Sequence, residues 1–167
     1  FTPASSSEEW NASAKAYWET TCLNIDLSSG QTFGSMQQLV AWSEFFDGDC
    51  FLIKTRGQDS SGKWWPRIQM VEAHLCGTPP SRLADEGKTV RDGVEVDPNG
   101  RATGYWFKQS SDSTSFRLVP AESVLHVMEF ERASQTRGIS SLAAAINYLH
   151  QLDDLLRQIA VDAVLDL

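Results

Sequence analysis

The sequence predicts an α+β fold in which N-terminal helices pack on a small, mainly antiparallel sheet of hairpins, followed by a long C-terminal helix. Three observations carry that prediction. Near the start, Trp10, Ala14, Tyr17 and Trp18 recur at helical spacing. Through the middle, apolar residues alternate in period two, as in Trp64 to Val71. From Ile139 onward the helical period returns, and Leu142, Ile146, Leu149, Leu152, Leu156, Ile159, Ala163 and Leu167 fall on one stripe.

Taken in order, Ser7 stands as an N-cap ahead of Glu8 and Glu9, and Ser28-Ser29-Gly30 ends the first helical unit. Ser35 is placed to cap a second helix, with Met36, Leu39, Val40, Ser43 and Phe46 near one face. Trp42 and Phe45 widen that face, and aromatic residues at this spacing read as core. Asp47-Gly48-Asp49 punctuates the chain, after which Cys50 to Thr55 is rich in apolar and branched residues and reads as a strand. A polar loop from Arg56 to Lys63 separates it from the strand Trp64 to Val71, giving a hairpin. Pro66, which has no N–H to donate, belongs at a sheet edge or near the start of its strand.

His74 to Arg91 carries Gly77, Pro79, Pro80 and Gly87 among charged residues and reads as a surface loop. Val94 to Val96 then leads into Asp97-Pro98-Asn99-Gly100, where Pro supplies a fixed φ and Gly a positive one, so a second hairpin returns along Thr103 to Lys108. Phe116 to Val119 and Ser123 to Met128 extend the same sheet.

The final helix, read from Ile139, would be about 40 Å long at ~1.5 Å per residue. Burial of a Leu or Ile side chain is worth roughly 1.5 to 3 kcal/mol, so a stripe of this length represents on the order of 10 to 20 kcal/mol that a small upstream domain supplies only in part. The chain therefore divides into an α+β unit over residues 1–138 and a helix over 139–167. Opposite the stripe lie Asp153, Asp154, Asp162 and Asp166 against Arg157. Two readings of that acidic side stand: a solvated face, or a surface turned toward a polyanion that must not stick.

Composition narrows the function. A length of 167 residues allows one compact domain, or a domain with an appendage. The chain begins at Phe1 without an initiator Met and ends at Leu167 inside a helical pattern, so a fragment of a longer protein is expected. No apolar window approaches the ~18 residues of a membrane span and no signal-peptide pattern opens the chain, so a soluble, unsecreted protein with no membrane partner is expected. Cys22, Cys50 and Cys76 lack metal or disulfide spacing. A net charge of −8 argues against gripping a phosphate backbone, whose affinity comes from Lys and Arg displacing counterions.

No catalytic, cofactor or metal constellation emerges. His74, His126 and His150 are far apart, and no phosphate-binding loop, dinucleotide fingerprint or nucleophile elbow is present. His126 with Glu129 or Glu131 is the one drawable acid/base cluster, but strand alternation sets His126 on the face opposite both. More telling is the polar junction before the last helix, with Glu129, Glu131, Arg132, Gln135 and Arg137 leading to Gly138 at the bend. A capped turn and a planar hydrogen-bonding surface suited to a subunit boundary both fit these residues.

In order and spacing these stretches resemble the portal proteins of lambda-type tailed bacteriophages. The resemblance runs through Gly93, Val94, Glu95, Asp97, Gly100 and Arg101, then Tyr105 and Trp106. It continues with Val119, Pro120, Ala121, Val124 and His126, then with Arg132, Gln135, Arg137 and Gly138. Gly48, Asp49 and Phe51 after a helix look similar as well. The chain departs from that pattern at Ala133 and Ser134, where the family commonly carries Pro and Gly.

The resemblance implies a structural, non-enzymatic virion component without a cofactor. It would be one subunit of a homo-oligomeric ring, typically a dodecamer, at a capsid vertex, through which DNA passes unbound. It also implies docking of the terminase large subunit, head-completion proteins, and capsid or scaffold proteins, with assembly in the bacterial cytoplasm. Residues 1–138 would be the wing and the final helix the start of the stem. In that picture Arg132, Gln135, Arg137 and Gly138 mark a subunit boundary or junction. Asp153, Asp154, Asp162 and Asp166 would face the channel, and Leu142, Ile146, Leu149 and Leu156 would pack against neighbouring helices. A different reading is a small carbohydrate- or peptide-binding module whose stacking platform is Trp64 with Trp65.

Overall fold

The structure is a computed structural model and describes residues 2–80 and 87–165. Helix α1 spans Glu8–Leu23, and the Ser7 side chain accepts from the Trp10 amide at its start, with Glu8 and Glu9 at the positive end of the helix dipole. Helix α2 spans Phe33–Asp47. Its cap is Thr32, one turn earlier than predicted: the Thr32 hydroxyl accepts from the Ser35 amide at 3.3 Å while the Ser35 hydroxyl accepts from the Thr32 amide at 2.9 Å. Gly48 ends α2 at φ +92°, its amide donating to the carbonyls of Ser43 and Glu44. The buried face of α2 is narrower than its sequence suggests. Met36 is buried, whereas Trp42 and Phe46 stack on one another and each remains about half exposed.

Strands β1 (Asp49–Gln58) and β2 (Trp64–Glu72) form the first hairpin, in register from Cys50 opposite Glu72 to Gln58 opposite Trp64. Pro66 lies on β2, an edge of its sheet, as expected from its missing donor. The second sheet is built from β3 (Thr89–Arg91), β4 (Val94–Val96), β5 (Ala102–Lys108) and β6 (Phe116–Pro120) in that order. The two hairpin turns are chemically the same device. Asp59 Oδ1 accepts from the amides of Ser61 and Lys63, and Asp97 Oδ1 from those of Asn99 and Arg101. Gly62 and Gly100 take the positive φ that each turn needs.

The predicted fold is corrected in two respects. One sheet is expected, but the strands form two antiparallel sheets, because β7 (Val124–Met128) does not extend the second hairpin. It crosses back and pairs with β1, from Asp49 opposite Met128 to Ile53 opposite Val124. Period-two alternation marks a strand without marking its partner, and the 3-10 turn Ala121–Ser123 after β6 redirects the chain. The core forms from both sheets: Phe51, Ile53 and Val71 from the first meet Val94, Tyr105, Phe107 and Val119 from the second.

The second correction concerns the last helix, which does not start at Ile139. Helix α3 spans Ala143–Leu165, 23 residues, and is about 35 Å long where ~40 Å is expected. Its entry is set by Ser140, whose hydroxyl accepts from the Leu142 amide and whose carbonyl accepts from that of Ala143. The same stretch docks on the end of α2, where the Phe45 carbonyl accepts from the Ser141 amide at 3.2 Å and from the Ser140 hydroxyl at 3.3 Å. Those contacts satisfy an orphan carbonyl of α2 and hold residues 139–142 out of the helix.

Candidate functional site

Two residues of the polar junction singled out by sequence, Arg137 and Gly138, converge on one buried carboxylate, Asp49, at the start of β1. Asp49 is 1% exposed, a position in which an unpaired charge is prohibitive. Arg137 compensates it, with Nε donating to Oδ2 at 2.6 Å and Nη2 to Oδ1 at 3.1 Å. The other Arg137 donors go to main-chain oxygens: Nη1 to Cys76 and Asp92, at 3.0 and 2.9 Å, and Nη2 to Ala73 at 2.8 Å. All five N–H groups of the guanidinium are therefore used inside the chain. Its Cζ also lies over the Phe51 ring, 5.2 Å from the centroid.

Two further donors complete the carboxylate. The Gly138 amide reaches Asp49 Oδ2 at 2.9 Å and His126 Nε2 reaches it at 3.1 Å. His126 is fixed by stacking on Phe51, with centroids 4.4 Å apart. Burial raises the Asp49 pKa, but the hydrogen bonds from His126, Arg137 and Gly138, with the guanidinium charge, outweigh it and hold the group at about 2. For Arg137, burial acts to lower the pKa, and the hydrogen bond and charge of Asp49 raise it overall.

Gln135 organises the approach to this centre. Its Oε1 accepts from the amides of Glu131 and Arg132 at 2.8 and 3.2 Å, and its Nε2 donates to the carbonyls of Glu129 and Arg137 at 3.1 and 2.8 Å. One side chain thus replaces four lost backbone partners in an irregular turn. Gly138 follows where the chain crosses Gly48 backbone to backbone. Arg132 differs from its neighbours: it is exposed, and its guanidinium makes no hydrogen bond or ion pair among the described residues.

The centre thus ties β1, β7, the turn Ala73–Leu75, the β3–β4 turn and the entry to α3 into one unit. Its chemistry is that of a lock. Asp49 is saturated and His126 points at it, not at Glu129 or Glu131, both of which are exposed. Among the described residues no group of three or more His, Cys, Asp or Glu side chains is arranged to hold a metal ion. No described helix is long and apolar enough to cross a membrane.

Along α3, Leu142 is half-buried at the base, while Ile146, Leu149 and Leu156 are 49, 60 and 57% exposed. Asp153 pairs with Arg157 at 2.8 Å and Asp154 is exposed. Asp166 and Leu167, and the side chains of Asp162 and Ala163, lie outside the described residues. The two tryptophans of the alternative reading are consecutive on β2 and so point to opposite faces. Trp64 is 61% exposed, but Trp65 stacks on Tyr17 and donates to Asp59 Oδ2, so they do not form one platform.

Sequence reasoning reached Arg137, Gly138 and Gln135 but missed that Asp49 is the acceptor of the first two. Asp49 enters the sequence reading through its place between Gly48 and Phe51 after a helix, but without a role, because its partners are 77 to 89 residues away.

Residues 2–165 match the family described as phage portal protein, lambda family. The chain is also 27% identical over 139 residues to the "Probable portal protein" of Halomonas phage phiHAP-1, an alignment covering 78% of this chain and 26% of that relative. It therefore spans about a quarter of the length of the curated relative it matches.

Proposed function

We propose, from the premise that this chain belongs to the lambda family of phage portal proteins, that it is the wing and stem entry of a ring-forming portal subunit. The ring sits at a capsid vertex of the virion, passes DNA without binding it, and docks the terminase large subunit, head-completion proteins and capsid or scaffold proteins. The function is structural, with the energy for DNA movement supplied by the docked motor.

One observation carries this reading. Helix α3 leaves the body with Leu149, Leu152, Leu155, Leu156 and Ile159 all more than half exposed, far more apolar surface than an isolated helix keeps in water. Neighbouring copies of α3 supply the missing burial, and with residues 139–142 docked on α2 the unit that folds on itself runs past 138 to the start of α3 at Ala143. The Asp49–Arg137 lock sets the direction in which α3 departs, so every subunit presents its helix alike. Of the junction residues, Arg132 keeps its donors for the next subunit, while Gln135, Arg137 and Gly138 shape the turn. Asp154, Asp162 and Asp166 give the channel side a negative lining that repels phosphates, while Asp153, on the turn between Leu149 and Leu156, is held by Arg157.

The test is the mass and shape of particles formed by the full-length parent protein, by light scattering and negative-stain imaging. Rings with a central hole are the expected outcome. A stable monomer or dimer at high concentration overturns the reading.

A further inference from the structure

Arg67, on β2, is a second buried guanidinium and the opposite case to Arg137. It is 8% exposed, its side chain makes no hydrogen bond or ion pair among the described residues, and its Nη1 is fully buried without a partner. A buried charge is ordinarily paired, because removing it from water costs several kcal/mol.

The local architecture is built to hold this side chain where it is. Gly57, near the end of β1, leaves room for the arginine stem: a Cβ there would lie 3.0 Å from Arg67 Cγ and 3.3 Å from Nε. A glycine within a strand weakens it and marks a close approach. Beside Arg67 is a cavity of about 120 Å³, walled by Thr20, Thr21 and Asn24 from the end of α1 and by Asp59, Trp65 and Pro66. The Asp59 carboxylate is not the missing counter-charge. Its oxygens are taken by the Ser61 amide and hydroxyl, the Lys63 amide and Trp65 Nε1, so the hairpin turn holds it in place. Thr20, Thr21 and Asn24 spend their donors on the α1 carbonyls of Ala16, Tyr17 and Thr20. Among the described residues, Arg67 is the side chain lining this cavity that has donors and donates none of them.

We propose that this cavity binds a single carboxylate group, held by the Arg67 guanidinium. The planar fork of the side chain matches a carboxylate, and the cavity volume suits a group of that size and not a sugar or a nucleotide. The carboxylate comes either from a free anion or from an acidic side chain of another polypeptide. Trp65 in the wall provides the signal.

Acetate is titrated into the full chain against chloride at matched ionic strength, reading Trp fluorescence and Tm. The expected result is a saturable, acetate-specific fluorescence change and a Tm rise of about 2 to 4 °C near saturation. Both are absent in Arg67→Met, which keeps the stem length and removes the charge, and acetate affinity falls at least about tenfold in Gly57→Ala, whose new Cβ displaces the stem. A blocked peptide containing one Glu identifies the source: tighter binding than acetate assigns a polypeptide side chain, and weaker binding a free anion. No specific response of the unmodified chain to acetate or peptide overturns the proposal whether or not the variants fold, as does an equal response in Arg67→Met.

Discussion

Gly48 and Gly138 cross backbone to backbone, so closely that a Cβ on Gly138 would run into the Gly48 carbonyl and one on Gly48 would lie 2.5 Å from the Ile139 carbonyl carbon. The crossing places the Gly138 amide on Asp49 and Arg137 beside it. Gly138→Ala is expected to cost at least about 2 kcal/mol in urea unfolding, since neither backbone can move without breaking the lock. Gly62→Ala is the control. Gly62 has φ +80° with nothing within 4 Å of its would-be Cβ, so only the left-handed strain of about 1 kcal/mol is expected.

Arg137→Lys is not a conservative change here. An ammonium has three donors and no plane, so it cannot reach the Asp49 carboxylate together with the carbonyls of Ala73, Cys76 and Asp92. Arg137→Met leaves Asp49 buried without its guanidinium counter-charge, with only His126 and the Gly138 amide beside it, and an expected loss of about 3 to 5 kcal/mol. In a double-mutant cycle with Asp49→Asn the coupling is expected to exceed about 1.5 kcal/mol, and a value near zero would show that the pair does not hold the junction.

What was legible in the sequence is what is decided locally. Gln135 bonds within six residues of itself, and the hairpin turns at Asp59 and Asp97 close within four, so their chemistry is readable from spacing. Asp49 is the opposite case, since its role appears only when β7 crosses back and brings His126 to it across 77 residues. The same crossing makes two sheets where alternation suggests one. The α3 boundary was misplaced because Ser140 and Ser141 are held by Phe45 of α2, a tertiary contact that a helical apolar period does not register.

Acid sensitivity follows from Asp49. Its folded pKa of about 2 lies below the ordinary aspartate value of 3.8, so its contribution to stability is fully present above pH ~4 and is lost as pH falls from 3.8 toward 2. The difference corresponds to about 2 kcal/mol. Tm measured between pH 5 and 2 should fall across this window in the unmodified chain. Asp49→Asn should start less stable and show a flatter profile, whereas an unchanged slope would place the acid response elsewhere.

The cysteines should divide by reactivity. Cys50 and Cys76 are buried, and burial first, then the nearby carboxylates, pushes their thiols up to about 11 and about 12; Arg137 opposes the shift at Cys76 without reversing it. Cys22 is partly exposed. A disulfide reagent at pH 8 is therefore expected to modify one thiol rapidly in the folded chain and three in denaturant. Rapid modification of Cys76 would mean that the Arg137 centre opens in the native state.

The last prediction separates folding from assembly. Leu149 and Leu156 are 60 and 57% exposed, so Leu149→Asp or Leu156→Asp removes little burial within the chain. Stability of this chain is expected to change by less than about 0.5 kcal/mol. In the full-length parent the same substitutions would set carboxylates in the proposed helix–helix contacts, and rings should be replaced by smaller species in light scattering. A loss above about 1.5 kcal/mol in the isolated chain would mean that α3 folds back and covers its stripe within one subunit. The helix would then be a packed element and not a rod awaiting its neighbours.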